Sequence, residues 1–374
     1  MSEQHYRIDL DAVTTREKQA LTHNIHPYPA KYIPQIPGSL LDYLDLPSRS
    51  TVLDPFCGSG TTLLEAAIRG HNAVGVDSNP IAALISRAKC TPLSPEQRAL
   101  VATVLDRLSL YAPERELPTV IPDFLNRSHW FQANMQRELG YIKGLIQTVS
   151  DPQAADFLNT AFSAIIVKAS NQESDTRWRA KDKHLPDGFA IAEFGKRARD
   201  MLVRLRQLEP YQLGSVTVKT QDSRCLDFME DDSVQCAITS PPYMNSYDYY
   251  LYHKLRMYWL GYNHYEVQET EIGSRNKHCD HGGGTQLYVD SISQVAQQVH
   301  QKLVPAGRLC VVIGDSIYRG ELIHMDRVYR AIAQRTGFSI QEVFSFDQRK
   351  YTRAFTPNLK TAEKKSHIMI FQKV

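Results

Sequence analysis

Two short stretches of the chain put chemistry-bearing residue types where an apolar run stops. LDPFCGSGTT, Leu53 to Thr62, sets Gly58 and Gly60 between an apolar segment and a helical one. At a strand-to-helix turn, glycines let backbone N–H groups come near a ligand, and the helix start adds unpaired donors. Asp77 ends the next apolar run about 20 residues on, where an acid reaches a ribose hydroxyl in nucleoside-binding α/β folds. Leu63 stands where a third glycine would be, and no GK[ST] follows, so the pattern fits a nucleoside without a pyrophosphate better than a dinucleotide or a triphosphate. Asp54, read as facing the cleft from the strand end, suits a cationic or amine-bearing ligand; S-adenosylmethionine carries both a sulfonium and an α-amino group.

The second stretch is TSPPYMNSYDYY, with Ser240, Pro241, Pro242 and Tyr243 just past a buried-looking strand. Consecutive prolines cannot continue a central strand and fix an extended backbone, so nearby carbonyls are rigid and outside the sheet ladder. Rigid acceptors beside an aromatic ring match a planar, amine-bearing base. Ser240 Oγ and the Pro241 carbonyl would accept the two N–H hydrogens of an exocyclic amine and turn its lone pair toward a methyl donor. Tyr243 would stack on the base, so that positioning supplies much of the acceleration. Either stretch alone is a weak signal; together they are specific.

These residues need a scaffold that brings two strand ends to one crevice. Thr51 to Leu53, a helix over Thr62 to Arg69 ended by Gly70, and a strand over Ala73 to Val76 form a βαβ unit. From Thr91 to about Gln212 the pattern is helix after helix. Ser94, Pro95 and Gln97 form a capping box ahead of Val101, Val104, Leu105 and Leu108, while Asp151-Pro152 opens a helix that is apolar nearly all round and predicts burial. NQESDTRWRAKDKHLPDG, polar and basic, predicts a loop. Strands return with SVTVKTQD, SVQCAITS, GRLCVVIGD, FSIQEVFSF and SHIMIFQKV. The expected fold is α/β: a mostly parallel sheet with an antiparallel edge and a helical insert, divided as 1–90 (N-terminal segment and cofactor part), 91–212 (insert, a candidate DNA-recognition region) and 213–374 (catalytic part).

Composition narrows the class. A 374-residue chain with formal net charge +2 offers no overall basic field, so any nucleic-acid surface must be local. Six cysteines without a CxxC pair favour reduced thiols over a disulfide framework, and no apolar run reaches the roughly 20 residues of a membrane helix, so a cytoplasmic protein is expected.

The quoted motifs resemble those of the S-adenosylmethionine-dependent amino-methyltransferases that modify DNA bases. DPFCGSGTT resembles their cofactor motif and TSPPY their catalytic motif, in the form most associated with cytosine-N4 enzymes. HPYPAKYIPQIP, His26 to Pro37, resembles the segment that closes over the methionine end of the cofactor, and QDSRCLDF the stretch where Asp222 approaches its adenine. The resemblance implies the seven-stranded methyltransferase sheet with a reversed last strand. It implies S-adenosylmethionine contacts from Lys31, Asp54, Pro55, Phe56, Gly58, Gly60, Thr61, Asp77, Ser78 and Asp222, and it gives Ser240, Pro241, Pro242 and Tyr243 to the target amine. The cofactor turn precedes the catalytic one, and the insert does not align with a target-recognition domain.

Arg177, Trp178, Arg179 and Lys181, with Arg275, Arg349, Lys350 and Arg353, are the candidate nucleic-acid contacts, arginine and lysine for phosphates and Trp178 for stacking. Cys57 is expected to pack, not to act as a nucleophile, since C5 chemistry needs its cysteine in the substrate turn, where Tyr243 stands. His278, Cys279, Asp280 and His281 are adjacent in a Gly-rich run and read as a loop, so no metal is expected. Leu251, Leu255 and Tyr258 are expected in the core. The expected function is methyl transfer from S-adenosylmethionine to the N4 amine of a cytosine flipped from double-stranded DNA, with a cognate restriction endonuclease as a possible companion. The alternatives are adenine N6 in DNA, a base amine in RNA, or a subunit that binds cofactor and DNA without turnover.

Overall fold

Thr51, Val52 and Leu53 are β-branched or aliphatic, and the last two are fully buried, as a strand covered on both faces requires. In this computed structural model, which describes residues 6–29, 31–115, 117–175, 177–244, 248–274, 284–347 and 364–374, that strand is β1 (Thr51–Asp54). Helix α1 (Thr15–Lys18) and helix α2 (Gln35–Leu44) precede it, and α3 (Thr61–Ile68) leads to β2 (Asn72–Asp77) and α4 (Pro80–Cys90). The insert follows as α5 (Pro95–Arg107), α6 (Arg127–Trp130), α7 (Ala133–Gln147), α8 (Pro152–Ile166), the ribbon of β3 (Gln172–Ser174) and β4 (Arg177–Ala180), and α9 (Phe189–Arg206). The chain then re-enters the sheet through β5 (Val216–Thr220) and β6 (Val234–Thr239). Helices α10 (Tyr249–Leu260), α11 (His264–Thr270) and α12 (Gly284–Lys302) lead to β7 (Leu303–Gly314). A small hairpin, β8 (Ser316–Tyr318) and β9 (Glu321–Ile323), then α13 (Met325–Arg335), β10 (Phe338–Asp347) and β11 (Lys365–Lys373) complete it.

The sheet order is β10-β11-β7-β6-β1-β2-β5. β1 pairs in parallel with β2 on one side (Leu53 opposite Val74) and with β6 on the other (Leu53 opposite Ala237). β11 is antiparallel to both neighbours, Met369 facing Val311 of β7 and Val343 of β10. This is the expected mostly parallel seven-stranded sheet with its last strand reversed. The order reverses between β1 and β6, so their C-terminal ends open a crevice. The β10 edge is covered by the N-terminal arm, where the Tyr6 backbone N–H donates to Glu342 Oε1 at 2.8 Å.

The insert's local signals fold as read. Ser94 Oγ accepts from the Gln97 N–H while the Gln97 side chain accepts from the Ser94 N–H, with Pro95 in the first helical turn. Asp151 caps α8 by accepting from the Ala154 N–H at 2.8 Å. Glu138, fully buried, accepts from the N–H groups of Gly188 and Ala190 at 2.7 Å each and caps α9 from a distance. The core of this region is continuous with one face of the sheet, Phe157, Phe162 and Trp259 joining Val52 and Leu63 in one buried cluster. The segment read as a loop instead holds the β3–β4 ribbon, because Trp178 packs on Trp130 with ring centroids 4.4 Å apart and pins the strand down. Along α10, Leu255 is buried as expected, but Leu251 and Tyr258 are only half-buried, and His253, Arg256 and Trp259 fill the interior. Among the described residues, no helix is long and apolar enough to cross a membrane.

Candidate cofactor and substrate site

The turn after β1 is held from behind by Asp54. Its carboxylate accepts from Thr62 Oγ1 at 2.6 Å, Thr239 Oγ1 at 2.7 Å and the Phe56 N–H at 3.1 Å, tying β1, β6 and α3 together. Asp54 is 1% exposed and burial pushes its pKa up to about 6, so it braces the turn and does not face the cleft as the sequence reading had it. Asp77 is the acid that does line the cavity. Its Oδ2 accepts from the Gly58 N–H at 2.9 Å and its Oδ1 from the Asn79 N–H at 2.8 Å, while burial raises its pKa to about 6.

The two glycines do different work. Gly58, at φ +50°, lies beneath the Tyr28 ring, where a Cβ would come 3.4 Å from the Tyr28 edge. Gly60, at φ +75°, has Ser86 against it, and a Cβ there would sit 2.8 Å from Ser86 Oγ. Gly60 therefore sets the close approach of α4 to the turn, not of a ligand.

The crevice between β1 and β6 is a concave, half-open cavity of about 830 Å³ counting the solvent in its mouth. Lys31, Ser59 and Thr61 line it together with Tyr32; Asp77, Ser78, Asn79, Asp222 and Ser223 line it beside the β2 and β5 ends; Ser240, Pro242 and Tyr249 come from the β6 side. Asp222 is also ion-paired with Arg224, Oδ2 to Nη2 at 2.5 Å. Tyr28, on the cavity wall, stacks on His253 at 5.1 Å and faces Tyr249 at 6.5 Å. Asn79 lines the cavity with its Oδ1 capping the Ile81 N–H, and its buried Nδ2 has no hydrogen-bond partner among the described residues. An orphaned donor beside an acid at a strand end is a polar set that suits a nucleoside, and the lining is compatible with S-adenosylmethionine, for which Asp77 would meet ribose hydroxyls, Asn79 and Asp222 the base, and Lys31 the amino-acid end. When bound, that cofactor supplies an electrophilic methyl on its sulfonium.

Beyond β6 the Ser-Pro-Pro-Tyr turn divides between two sides. Ser240 and Pro242 line the cavity, whereas Pro241 faces an apolar pocket behind it, shared with Phe56 and Thr239. Pro55 lines that rear pocket too. Tyr243 packs half-buried against the cluster of Leu53, Met244 and Tyr288 and does not line the cavity, where Tyr249 supplies an aromatic wall instead. Tyr288, fully buried, donates to the Pro242 carbonyl at 3.0 Å and meets Tyr329 at 3.0 Å, fixing the turn from behind. Neither Ser240 Oγ nor the Pro241 carbonyl has a hydrogen-bond partner among the described residues. Glu271, also on the cavity wall, accepts from the Tyr249 N–H at 2.6 Å and holds the start of α10. Sequence reasoning missed Asn79, Tyr28, Tyr249, Tyr288 and Glu271; only the Asn-Pro pair opening α4 carried a local signal, that of a helix cap.

The candidate nucleic-acid residues are partly rearranged. Arg177 and Arg179 project from the exposed face of β4, Arg177 pairing with Glu173 at 3.1 Å, and Lys181 is exposed just beyond. Trp178 faces the other way, against Trp130 and under the Lys254 ammonium at 5.8 Å, so it anchors the ribbon and is not open for base stacking. The ribbon is tied to α10 by the ion pair of Asp175 with the fully buried Arg256. Arg275, Arg349, Lys350 and Arg353, like Tyr247 and the His278 to His281 run, lie outside the described residues.

The DNA methylase family model matches residues 12–87, which span the closing segment, the β1 turn and the start of α4. The Type II methyltransferase M.MvaI of Kocuria varians is 27% identical over 255 residues, covering 63% of this chain and 56% of that protein. M.BsoBI of Geobacillus stearothermophilus is 21% identical over 67% of this chain and 55% of its own length. The chain thus spans about half the length of these curated relatives. Among solved structures, a SAM-dependent methyltransferase of Methanosarcina mazei matches at 10% identity over 93% of this chain and 99% of its own, with a TM-score of 0.36. A candidate DNA modification methylase of Thermus thermophilus, complexed with S-adenosyl-L-methionine, matches at 20% identity over 41% of this chain and 53% of its own, with a TM-score of 0.27. The glycine turn, Asp77 and the Ser240 and Pro242 positions of the second turn border one cavity, and the chain is similar to DNA methylases over residues 12–87 and to Type II methyltransferases over about two thirds of its length.

Proposed function

We propose that the protein transfers a methyl group from S-adenosylmethionine to the exocyclic amine of a base flipped out of double-stranded DNA, and that the base is cytosine, methylated at N4. The observation that carries this reading is the convergence of Gly58, Asp77, Ser240 and Pro242 on a single cavity. An amine paired inside a duplex cannot reach a cavity of this depth, so the base leaves the stack. Ser240 Oγ and the Pro241 carbonyl accept the amine's two N–H bonds, which withdraws its lone pair from the ring and aims it at the methyl carbon. The bound cofactor would supply the methyl as an electrophile and leave as the neutral thioether, and the surplus proton of the amine held by Ser240 Oγ and the Pro241 carbonyl would pass to water at the open mouth of the cavity. Tyr249, on the cavity wall, offers a face for the base, the part assigned from sequence to Tyr243.

Serine at the first position of the turn, in place of Asp or Asn, favours cytosine over adenine, as the motif's resemblance implies. Arg177, Arg179 and Lys181 supply phosphate contacts, and the insert is the candidate recognition region. A companion restriction endonuclease would fit a Type II relative. The test is expression in a host without DNA methylation, followed by mass spectrometry of the nucleosides. N4-methylcytosine is the expected product, N6-methyladenine would overturn the base assignment, and a methylated RNA with unmodified DNA would overturn the substrate class. Purified protein that binds cofactor and DNA but transfers no labelled methyl would make it a binding subunit.

A further inference from the structure

Lys89 sits in the last turn of α4, 1% exposed, in a place the reaction outlined above does not use. Its ammonium donates to Ser59 Oγ at 3.2 Å, and among the described residues no carboxylate lies within ion-pair distance of it. Glu65 is near enough to be felt, but its oxygens are already engaged by His23 at 2.8 Å and Arg69 at 2.6 Å. The charged and titratable groups that act on Lys89 are Lys31, Cys57, Cys90 and the His23–Glu65 pair, and the Lys31 ammonium, which donates to the His23 carbonyl at 2.8 Å, adds like charge to this region. Burial brings Lys89 down to about 7 and Lys31 down to about 8. A buried ammonium with one neutral partner carries a large desolvation penalty, which an anion bound nearby would offset.

The hydrogen-bond chemistry says where the anion goes. An ammonium is a donor only, so Ser59 Oγ accepts from Lys89 and its own O–H proton must point elsewhere. Ser59 and Lys31 both line the cavity, at the turn between β1 and α3. We propose that Lys89 is a positioning residue for the α-carboxylate of the cofactor: it makes Ser59 a donor into the cavity and, with Lys31, gives that end the positive charge a carboxylate requires. The inference rests on the reading that the cavity takes S-adenosylmethionine. It explains why a lysine lies buried beneath a serine of the turn, which the capping needs of α4 alone do not require, since Arg87 also sits in that last turn.

The test is calorimetric binding of S-adenosylmethionine and of its decarboxylated analogue, which keeps the adenosine, sulfonium and amine but lacks the carboxylate. Wild-type protein is expected to prefer the carboxylate form by about tenfold or more, the weight of a hydrogen bond to a charged group. Lys89→Met and Ser59→Ala should each shrink that preference several-fold while leaving affinity for the analogue nearly unchanged; Lys89→Arg, which keeps the charge, should retain it. Equal loss of affinity for both compounds, or an undiminished preference in Ser59→Ala, would overturn the proposal, and Ser59→Ala decides it even should Lys89→Met not fold. Wild-type protein that binds neither compound would instead sink the cofactor reading itself.

Discussion

The two turns that meet at the cavity leave the C-terminal ends of neighbouring parallel strands, yet they are stiffened by opposite means. The β1 turn is held by side-chain carboxylates: Asp54 ties it to Thr62 and Thr239, and Asp77 reaches back to the Gly58 N–H. At the β6 turn two prolines set the backbone and Tyr288 donates to the Pro242 carbonyl, while Asp54 reaches only the strand end, through Thr239. A cofactor presents the same shape at every turnover, so its turn can be fully bonded in advance. A substrate amine needs acceptors with spare lone pairs, and Ser240 Oγ and the Pro241 carbonyl are left without partners among the described residues. Preorganisation here means bonds made on one side and bonds withheld on the other.

That contrast can be broken most forcefully at the substrate turn. Ser240→Ala should lower the methyl-transfer rate by about 100-fold or more, in line with loss of one polar group acting on the transition state, with cofactor affinity unchanged by calorimetry. A rate within a few-fold of wild type would deny Ser240 its role. At the cofactor turn, Asp77→Ala should weaken cofactor binding by roughly 10- to 100-fold, the weight of hydrogen bonds to a charged acceptor, while the rate at saturating cofactor changes much less. The same carboxylate sets a pH trend. Its pKa stands at about 6, above the ordinary carboxylate value, so the accepting ionised form is present above that pH. Cofactor affinity should therefore fall as pH drops through about 6, and Asp77→Asn should flatten the profile.

Smaller effects sharpen the comparison. Tyr288→Phe removes the bond to Pro242 and should cost about 1 kcal/mol of stability in denaturant titrations, slowing transfer while sparing cofactor affinity. His26 and His253 are buried and neutral, held well below the usual histidine range by burial and then by Arg256. For a histidine whose folded value is lowered, stability is whole above the unfolded pKa and drains as pH falls below it. The melting temperature should decline as pH drops below about 6.5, and His26→Gln should lessen that decline. Since His253 stacks on Tyr28 over the cofactor turn, acid should loosen that wall before the β6 turn.

Much of this architecture was legible in the chain because the relevant signals are local. Ser94-Pro95 with Gln97, and Asp151-Pro152, announce helix starts through contacts within one turn, and the structure places them so. The Gly58 to Asp77 spacing and the double proline told of two turns at strand ends, and parts of both border one cavity. Trp178 and the β3–β4 ribbon were not legible, because a three- or four-residue strand is stabilised by what it packs on, here Trp130 and Lys254. Tyr243 and Tyr249 exchanged places for the same reason: both are tyrosines near one turn, and only the path of the chain decides which ring faces the cavity.

The sequence by itself determined the class of fold and the order of the two turns, since strand, cap and proline signals act within a few residues. Tertiary structure alone decided which acid serves which purpose. Asp54 and Asp77 both end strands, and nothing in their neighbours along the chain separates them; the distant Thr239 occupies one, while the other borders open space. Lys89 is the plainest case, a lysine of ordinary helical context whose burial under Ser59 arises because Gly60 lets α4 close on the turn. Charge burial depends on partners far apart in the chain, and those are known only when the chain has folded.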